Sequence, residues 1–75
     1  MQEEIERILH INDYYELIGD SRDCGEQELK EAYHLLAVKF HPDKNREVGA
    51  REVFMKITTA YYTLLDRDRR ANYDR

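Results

Sequence analysis

A single proline separates two long apolar stripes of helical period, and this arrangement limits the possible folds more than any other feature of the chain. Hydrophobic side chains recur every three or four residues from Leu29 to Phe40, and again from Ala50 to Leu64. Pro42 has no amide hydrogen and disfavours helical geometry in the residue before it, so the first helix must end near Phe40. A connection of roughly eight residues lets two such helices pack as an antiparallel hairpin.

A short amphipathic helix is expected ahead of this hairpin, within an N-terminal helical extension over residues 1–12. Ile5, Ile8 and Leu9 share one helical face there, and charged residues occupy the other sides. The apolar face could cover the rest of the bundle, or it could pack on a neighbouring domain of a longer parent protein. The sequence leaves both arrangements open.

Capping signals place the boundaries of the next two helices. Asn12 or Asp13 can cap a brief helix over Tyr14–Ile18, and Gly19 can supply the left-handed position that ends it. Gly25 can act as the N-cap of the first long helix, because glycine is tolerated there and acidic residues follow it.

A last short helix is expected near the end of the chain, capped by Asp66 or Asp68, with Ala71 and Tyr73 facing inward. The chain is therefore predicted to be all-α, an antiparallel hairpin of two long helices with short flanking helices and an additional N-terminal helical turn. The predicted core residues are Tyr14, Leu17, Leu29, Ala32, Tyr33, Leu36, Ala37, Phe40, Val53, Phe54, Ile57, Ala60, Tyr61, Leu64 and Tyr73.

The charge balance narrows the classes of partner. A net charge of −4 argues against general binding to nucleic acid or anionic lipid, since both require a positive surplus. No apolar stretch approaches the roughly 20 residues of a membrane span, and the acidic start is opposite in charge to a secretory leader. We expect a soluble domain without nucleic-acid contact and without membrane contact by this segment. The sequence leaves the compartment open, with the cytoplasm or nucleus favoured. It could still be a segment of a longer protein.

Catalytic and metal-binding signals are weak. His10, His34 and His41 do not have the spacing of a metal site, and no phosphate-binding glycine loop is present. Cys24 stands beside a helix start, where the dipole could favour its thiolate, but an incidental loop residue is the simpler interpretation. The sequence predicts no enzyme activity, no metal and no cofactor.

His41-Pro42-Asp43 is the candidate functional motif, because a helix stop holds an imidazole and a carboxylate stiffly at the tip of the hairpin. Taken alone, the three residues could simply end one helix and begin a turn. The rest of the chain favours a functional interpretation.

After residue 12, the chain resembles the J-domain (DnaJ) family along nearly its whole length, and the matching segments fall in order. They are Asp13-Tyr14-Tyr15-Glu16-Leu17-Ile18-Gly19, Ala32-Tyr33, Leu36-Ala37, Phe40-His41-Pro42-Asp43-Lys44-Asn45, Phe54, Ile57, Ala60-Tyr61, Leu64, Asp66, Arg70 and Tyr73-Asp74. The resemblance implies a J domain over residues 13–75.

The resemblance also implies a function by contact, in which the second helix of the family fold and its signature loop dock on a DnaK-type 70-kDa heat shock chaperone. The domain would stimulate ATP hydrolysis by the chaperone and so aid protein folding. Asp43 would pair with a chaperone arginine, while His41 and Pro42 would keep the loop in shape. The residues expected to contact the chaperone are His41, Pro42, Asp43, Lys44, Asn45, Lys30, His34, Leu35, Val38 and Lys39.

The alternative function is a J-like interaction module with weak or no ATPase stimulation. Other domains of a parent protein are further possible partners.

Two regions of the chain depart from the family pattern. On the outer face of the first long helix, only Lys30 keeps the positive charge that is usual at the positions of Lys30, Glu31, His34 and Leu35. This loss is explained either by neutral drift or by tuning toward a particular partner. Asp20 also replaces an aliphatic residue that normally follows the glycine, and residues 1–12 could compensate for the missing core contact.

Overall fold

The computed structural model describes residues 2–75, and these fold entirely into helices and connecting turns. The helices are α1 (Gln2–Leu9), α2 (Tyr14–Ile18), α3 (Glu26–Phe40), α4 (Ala50–Leu65) and α5 (Arg67–Asp74). The predicted all-α fold class is confirmed. None of the helices within residues 2–75 is both long and apolar enough to cross a membrane.

The two long helices form the expected antiparallel hairpin. The Tyr33 hydroxyl lies 3.0 Å from the hydroxyl of Thr58, and its ring stacks on Tyr61 with centroids 4.1 Å apart. Just beyond the end of α3, the rings of His41 and Phe54 form a T-shaped contact. Because the residue numbers rise on α3 as they fall on α4, the helices run in opposite directions.

Local hydrogen bonds end the helices where the capping residues predict. The Asp13 side chain accepts the amides of Tyr15 and Glu16 at the start of α2, and Gly19 has a left-handed φ of 88° at its end. At the start of α3, the Gly25 amide donates to the Glu28 carboxylate at 3.0 Å.

The last helix begins at a similar cap but differs from expectation at its inward face. Asp66 accepts the Arg69 amide at 3.0 Å and starts α5. Tyr73 is half-buried and stacks on Tyr14 with centroids 4.6 Å apart. Ala71 is exposed, so its predicted inward placement is wrong. A helix of eight residues turns only one narrow stripe toward the bundle, and Arg70 and Tyr73 occupy that stripe.

The core lies mainly between α4 and the helices around it. Its most deeply buried large side chains are Phe40, Ile5, Leu29, Ile57, Leu64 and Val53. Leu17, Ala60 and Tyr61 are also buried, while Tyr14 and Phe54 are half-buried against this core. The sequence-based list omitted six buried residues, which are Ile5, Ile8, Tyr15, Ile18, Cys24 and Ala50.

The middle of the α3 stripe is more open than the spacing predicts. Leu29 and Phe40 are completely buried, but Ala32, Tyr33, Leu36 and Ala37 are half-buried. Leu36, one of the predicted core residues, packs against the core but is only half-buried. Since α4 is the one long helix that packs along α3, only one flank of the stripe is covered.

Helix α1 packs on the bundle, which is the first of the two arrangements that the sequence left open. Ile5 and Ile8 are buried against α4. The Lys56 ammonium donates to the carbonyl of Leu9 at 2.6 Å, closing the C-terminal end of α1. Gly49 has a φ of 90°, and a Cβ atom there would lie 2.7 Å from Cγ2 of Ile5. The close approach of α1 therefore needs glycine at this position.

Hydrogen bonds of Arg70 tie α5 to the loop that precedes α3. Arg70 donates to the carbonyls of Cys24 and Arg22 at 2.8 and 3.0 Å, and to the Tyr15 hydroxyl at 3.0 Å. The Tyr15 hydroxyl in turn donates to Asp74 at 2.7 Å. This network holds the loop after α2 against the last helix.

Asp20 lies in the same region as that network. One of its carboxylate oxygens is buried with no hydrogen-bond partner among the described residues. Helix α1 packs near the other end of the hairpin, beside Gly49 and Lys56. It therefore does not replace the core contact that an aliphatic side chain at position 20 would make.

Candidate functional site

The candidate site is the turn that follows α3 at the tip of the hairpin. The His41 carbonyl accepts two backbone amides, from Lys44 at 2.9 Å and from Asn45 at 2.8 Å. His41 itself has extended backbone geometry, as the following proline requires. The segment is therefore a compact turn in which the amides of Lys44 and Asn45 are bonded internally.

The imidazole of His41 supports this turn from within. Its Nδ1 atom accepts the Asp43 amide at 3.2 Å, and its ring lies edge-on to Phe54 with centroids 5.3 Å apart. An Nδ1 atom that accepts a hydrogen bond leaves the proton of a neutral imidazole on Nε2. The ring thus joins the backbone of the turn to α4.

The carboxylate of Asp43 is presented to solvent. Its side chain is 89% exposed, and its nearest oxygen lies 3.8 Å from Nδ1 of His41. The Asp43 backbone is held by the His41 ring while the charged group projects outward. Such an acceptor is ready to pair with a cation on another molecule, because its own chain uses little of its hydrogen-bonding capacity.

Asn45 closes the turn from the other side. Its amide nitrogen donates to the carbonyl of Lys39, one of the last carbonyls of α3, at 3.1 Å. Its side-chain oxygen accepts the Glu47 amide at 3.0 Å. The structure therefore gives Asn45 a role in holding the loop, in addition to any contact with a partner.

Basic residues surround this turn. Lys39, Lys44 and Arg46 line one shallow cleft together with Asn45 and Glu47. Lys39 is paired within the chain, since its ammonium lies 2.6 Å from the Glu4 carboxylate of α1. The Lys39 hydrogen bond is the main reason why the pKa of Glu4 falls below its ordinary value.

The remaining predicted contact residues lie along the outer face of α3, away from the turn. Lys30, His34, Leu35 and Val38 are all exposed, and Leu35 is 73% exposed. Lys30 is 3.5 Å from Glu26 one turn earlier, so its charge is partly balanced by a neighbour. The structure thus forms two adjoining surfaces, a turn with cations around it and a helix face with few of them.

Cys24 does not belong to either surface, and it lies in the loop before α3 as the sequence indicated. Its side chain is buried, and its carbonyl accepts a hydrogen bond from Arg70. Burial raises the pKa of the Cys24 thiol, which is the opposite of the activation that a helix start could provide. Among the described residues, no group of three or more His, Cys, Asp or Glu could hold a metal ion.

Sequence reasoning missed two supporting residues of the turn. Phe54 was assigned to the core, but it also contacts the His41 ring. Glu4 was treated as one of several charged residues on α1, although it pairs with Lys39. The 35 positions between Glu4 and Lys39 leave no local spacing that could have revealed the pair.

Comparison with known proteins identifies the family. A family model described as the DnaJ domain matches residues 13–74, which is most of the chain. The chain belongs to the DnaJ-domain family. The resemblance inferred from the ordered motifs is confirmed.

Individual relatives of this J domain agree with the family match. The chain is 54% identical over 63 residues to the chaperone protein DnaJ of Cyanothece sp., an alignment that covers 84% of this chain and 17% of that protein. It is 50% identical over 70 residues to DnaJ homolog subfamily B member 14 of Xenopus tropicalis, covering 93% of this chain and 19% of that protein. The J domain described here thus spans less than a fifth of the length of these relatives.

A solved structure supports the fold. The crystal structure of the J-Trx1 fragment of ERdj5 superposes on this J domain with a TM-score of 0.82 and 41% sequence identity. The match covers 87% of this chain and 33% of that one.

Proposed function

We propose that this J domain binds a DnaK-type 70-kDa heat shock chaperone and stimulates its ATP hydrolysis through His41-Pro42-Asp43, aiding protein folding. The observation that carries the proposal is the Asp43 carboxylate, which is 89% exposed on a turn whose backbone is held internally. The domain itself would catalyse no reaction. Residues 13–75 would form the active unit, and residues 1–12 an extension that packs on it.

Asp43 would act by pairing with an arginine of the chaperone. A charge-assisted bond biases a two-state ATPase only if it forms better in one state than in the other. A rigid turn favours this contact, because little conformational entropy is lost when the carboxylate meets its partner. His41 and Asn45 would preserve the turn rather than supply the main contact, since their polar groups bond within the chain.

The decisive experiment is single-turnover ATP hydrolysis by a purified DnaK-type chaperone, with and without the domain. Wild type should accelerate hydrolysis, and Asp43→Asn should abolish the acceleration while leaving the helical circular dichroism spectrum unchanged. Asp23→Asn is the matched control, because Asp23 is exposed in the loop before α3 and the substitution removes the same charge. Full stimulation by folded Asp43→Asn would refute the assigned mechanism.

A second variant tests the supporting role of His41. His41→Gln removes the ring that contacts Phe54 and displaces the acceptor that holds the Asp43 amide. It should lose stimulation while the protein remains folded. Chaperones from several compartments should be compared, because the preferred one would also indicate where the domain works.

A J-like interaction module with weak stimulation is the second candidate function. It is favoured by the outer face of α3, where Leu35 is 73% exposed and borders a groove with Tyr33, His34 and Tyr61. An exposed leucine beside aromatic rings suits an apolar contact on another protein. Wild-type binding to another protein without acceleration of any chaperone ATPase would favour this candidate.

A further inference from the structure

Helix α1 contacts residues on both sides of the turn that follows α3, which carries His41, Pro42 and Asp43 and is proposed to dock on the chaperone. The Lys39 ammonium, at the end of α3, lies 2.6 and 2.9 Å from the two carboxylate oxygens of Glu4. The Gln2 side-chain amide donates to the carbonyl of Val48 at 3.0 Å and to the Glu47 carboxylate at 3.3 Å. An element outside the family match of residues 13–74 is therefore in direct contact with the candidate site.

Glu4 is held in this position by the packing of α1. Ile5, its neighbour in sequence, is 1% exposed, and Ile8 is 4% exposed. Lys56 donates to the last carbonyls of α1 from the side of α4. Since α1 is fixed at its centre and at its C-terminal end, the Glu4 carboxylate meets Lys39 from a rigid helix rather than from a mobile tail.

The pair changes the charge of the surface beside Asp43. Lys39 lines the same cleft as Lys44 and Arg46, and it stands where α3 meets the turn. Glu4 balances the charge of Lys39 and brings a carboxylate to the edge of that cleft. An acidic surface that approaches the turn would meet fewer unbalanced cations, and it would have to compete with Glu4 for the Lys39 ammonium.

We propose that Glu4 is a specificity-determining residue for chaperone docking, which slows association with an acidic chaperone surface by holding Lys39 in an ion pair within the chain. The proposal rests on the proposed function. It gives α1 a regulatory role, because the charge of the docking surface depends on a residue outside the matched family region. Chaperones with a less acidic surface would be affected less.

The test measures association of Glu4→Gln with a purified, ATP-bound DnaK-type chaperone by stopped-flow or biolayer interferometry. Glu3→Gln is the matched control, since Glu3 is exposed in the same first turn of α1 and the substitution changes the net charge equally. At low ionic strength, Glu4→Gln should associate about two- to fivefold faster than Glu3→Gln, the range set by the strength of an exposed ion pair. The ratio should approach one at high salt.

Two further variants separate loss of the pair from other effects. Glu4→Asp keeps the charge but shortens the side chain, so it should also associate faster than wild type. In a Lys39→Gln background, Glu4→Gln and Glu3→Gln should give equal rates, because no ammonium remains to be released. The buried residues of α1 are unchanged in all of these variants, and circular dichroism would verify that each is folded.

The outcomes distinguish this inference from the function on which it rests. If wild type neither binds nor stimulates the chaperone, the proposed function is wrong. If wild type stimulates but Glu4→Gln associates no faster than Glu3→Gln, the function stands and the role of Glu4 is refuted. Slower association of Glu4→Gln would also refute it, because Glu4 would then orient Lys39 for docking rather than withhold it.

Discussion

His41 and Asp43 have different tasks although they are two residues apart. The His41 ring is occupied by the Asp43 amide and by Phe54, whereas the Asp43 carboxylate is exposed. The sequence located this motif because proline and the surrounding family pattern are contiguous in the chain. It could not locate the Glu4–Lys39 pair, which forms only when α1 packs beside the end of α3.

Glu4 should make the stability of the domain depend on pH in the acidic range. The hydrogen bond from Lys39 lowers the pKa of Glu4 in the folded chain below its ordinary value of 4.5. The unfolded chain lacks this bond and takes up a proton more readily, so the pair stabilises the fold fully above pH 4.5. Its contribution is lost as the pH falls through the lowered pKa of the folded state.

Thermal unfolding of wild type and Glu4→Gln measures this effect. Wild type should have the higher midpoint near neutral pH, and the difference should close below pH 4.5. Glu3→Gln supplies the comparison, because Glu3 is exposed in the same first turn of α1 and the substitution removes the same charge. A difference between wild type and Glu4→Gln that persists undiminished in strong acid would contradict the prediction.

At the scale of single helices, local signals predicted the boundaries and missed the packing. Asp13, Gly19, Gly25 and Asp66 act at the predicted ends, because a cap depends on residues within one turn of it. The burial of a stripe depends instead on which helices meet. For that reason the half-exposure of Leu36 and the docking of α1 on α4 could not be derived from spacing.

Truncating a side chain to alanine should destabilise the fold more at the buried ends of α3 than in its half-buried middle. Leu29 is completely buried, so Leu29→Ala should lower the free energy of unfolding by about 2–5 kcal/mol. Leu36 is half-buried, so Leu36→Ala should cost only about 1–1.5 kcal/mol, in proportion to the area it covers. Urea denaturation would compare the variants. Equal losses would show that the core extends further along α3 than the structure indicates.

Two glycines with left-handed backbones offer a matched measurement of α1 packing. A Cβ at Gly19 would meet nothing within 4 Å, so Gly19→Ala should cost about 1–2 kcal/mol, the penalty for a left-handed backbone. A Cβ at Gly49 would also collide with Ile5, so Gly49→Ala should cost about 2–4 kcal/mol. If chemical denaturation gives the same loss for both, α1 does not approach Gly49 as closely as described.

For the whole molecule, we expect chaperone association to depend more on where the charges lie than on the net charge. The chain carries a net charge of −4, yet Lys39, Lys44 and Arg46 gather around the turn. The outer face of α3 contributes little to this positive region, because Lys30 is near Glu26 and Leu35 is apolar. We therefore expect the rate of chaperone association to depend less on ionic strength than it does for J domains whose outer helix face is basic.

Restoring charge to that face should increase the association rate. Glu31→Lys with Leu35→Arg adds positive charge beside the docking surface, and the gain should shrink with salt as interactions beyond roughly 8 Å are screened. Asp68→Lys with Asn72→Arg, at two exposed positions of α5, changes the net charge by the same amount and is the control. Weaker binding of the double variant at every salt concentration would identify Leu35 as an apolar contact and favour the second candidate function.

The attachment of α1 also has a consequence for the order in which the chain folds. Its polar contacts join residues 35 to 48 positions apart, so each closes a large loop whose entropy cost must be met before the contact stabilises anything. Leu9 can meet Lys56 only when α4 exists, and Glu4 can meet Lys39 only when α3 does. We expect α1 to dock last and to open first. Its backbone amides should then exchange with solvent deuterium faster than those of α4, through opening events that leave the hairpin folded.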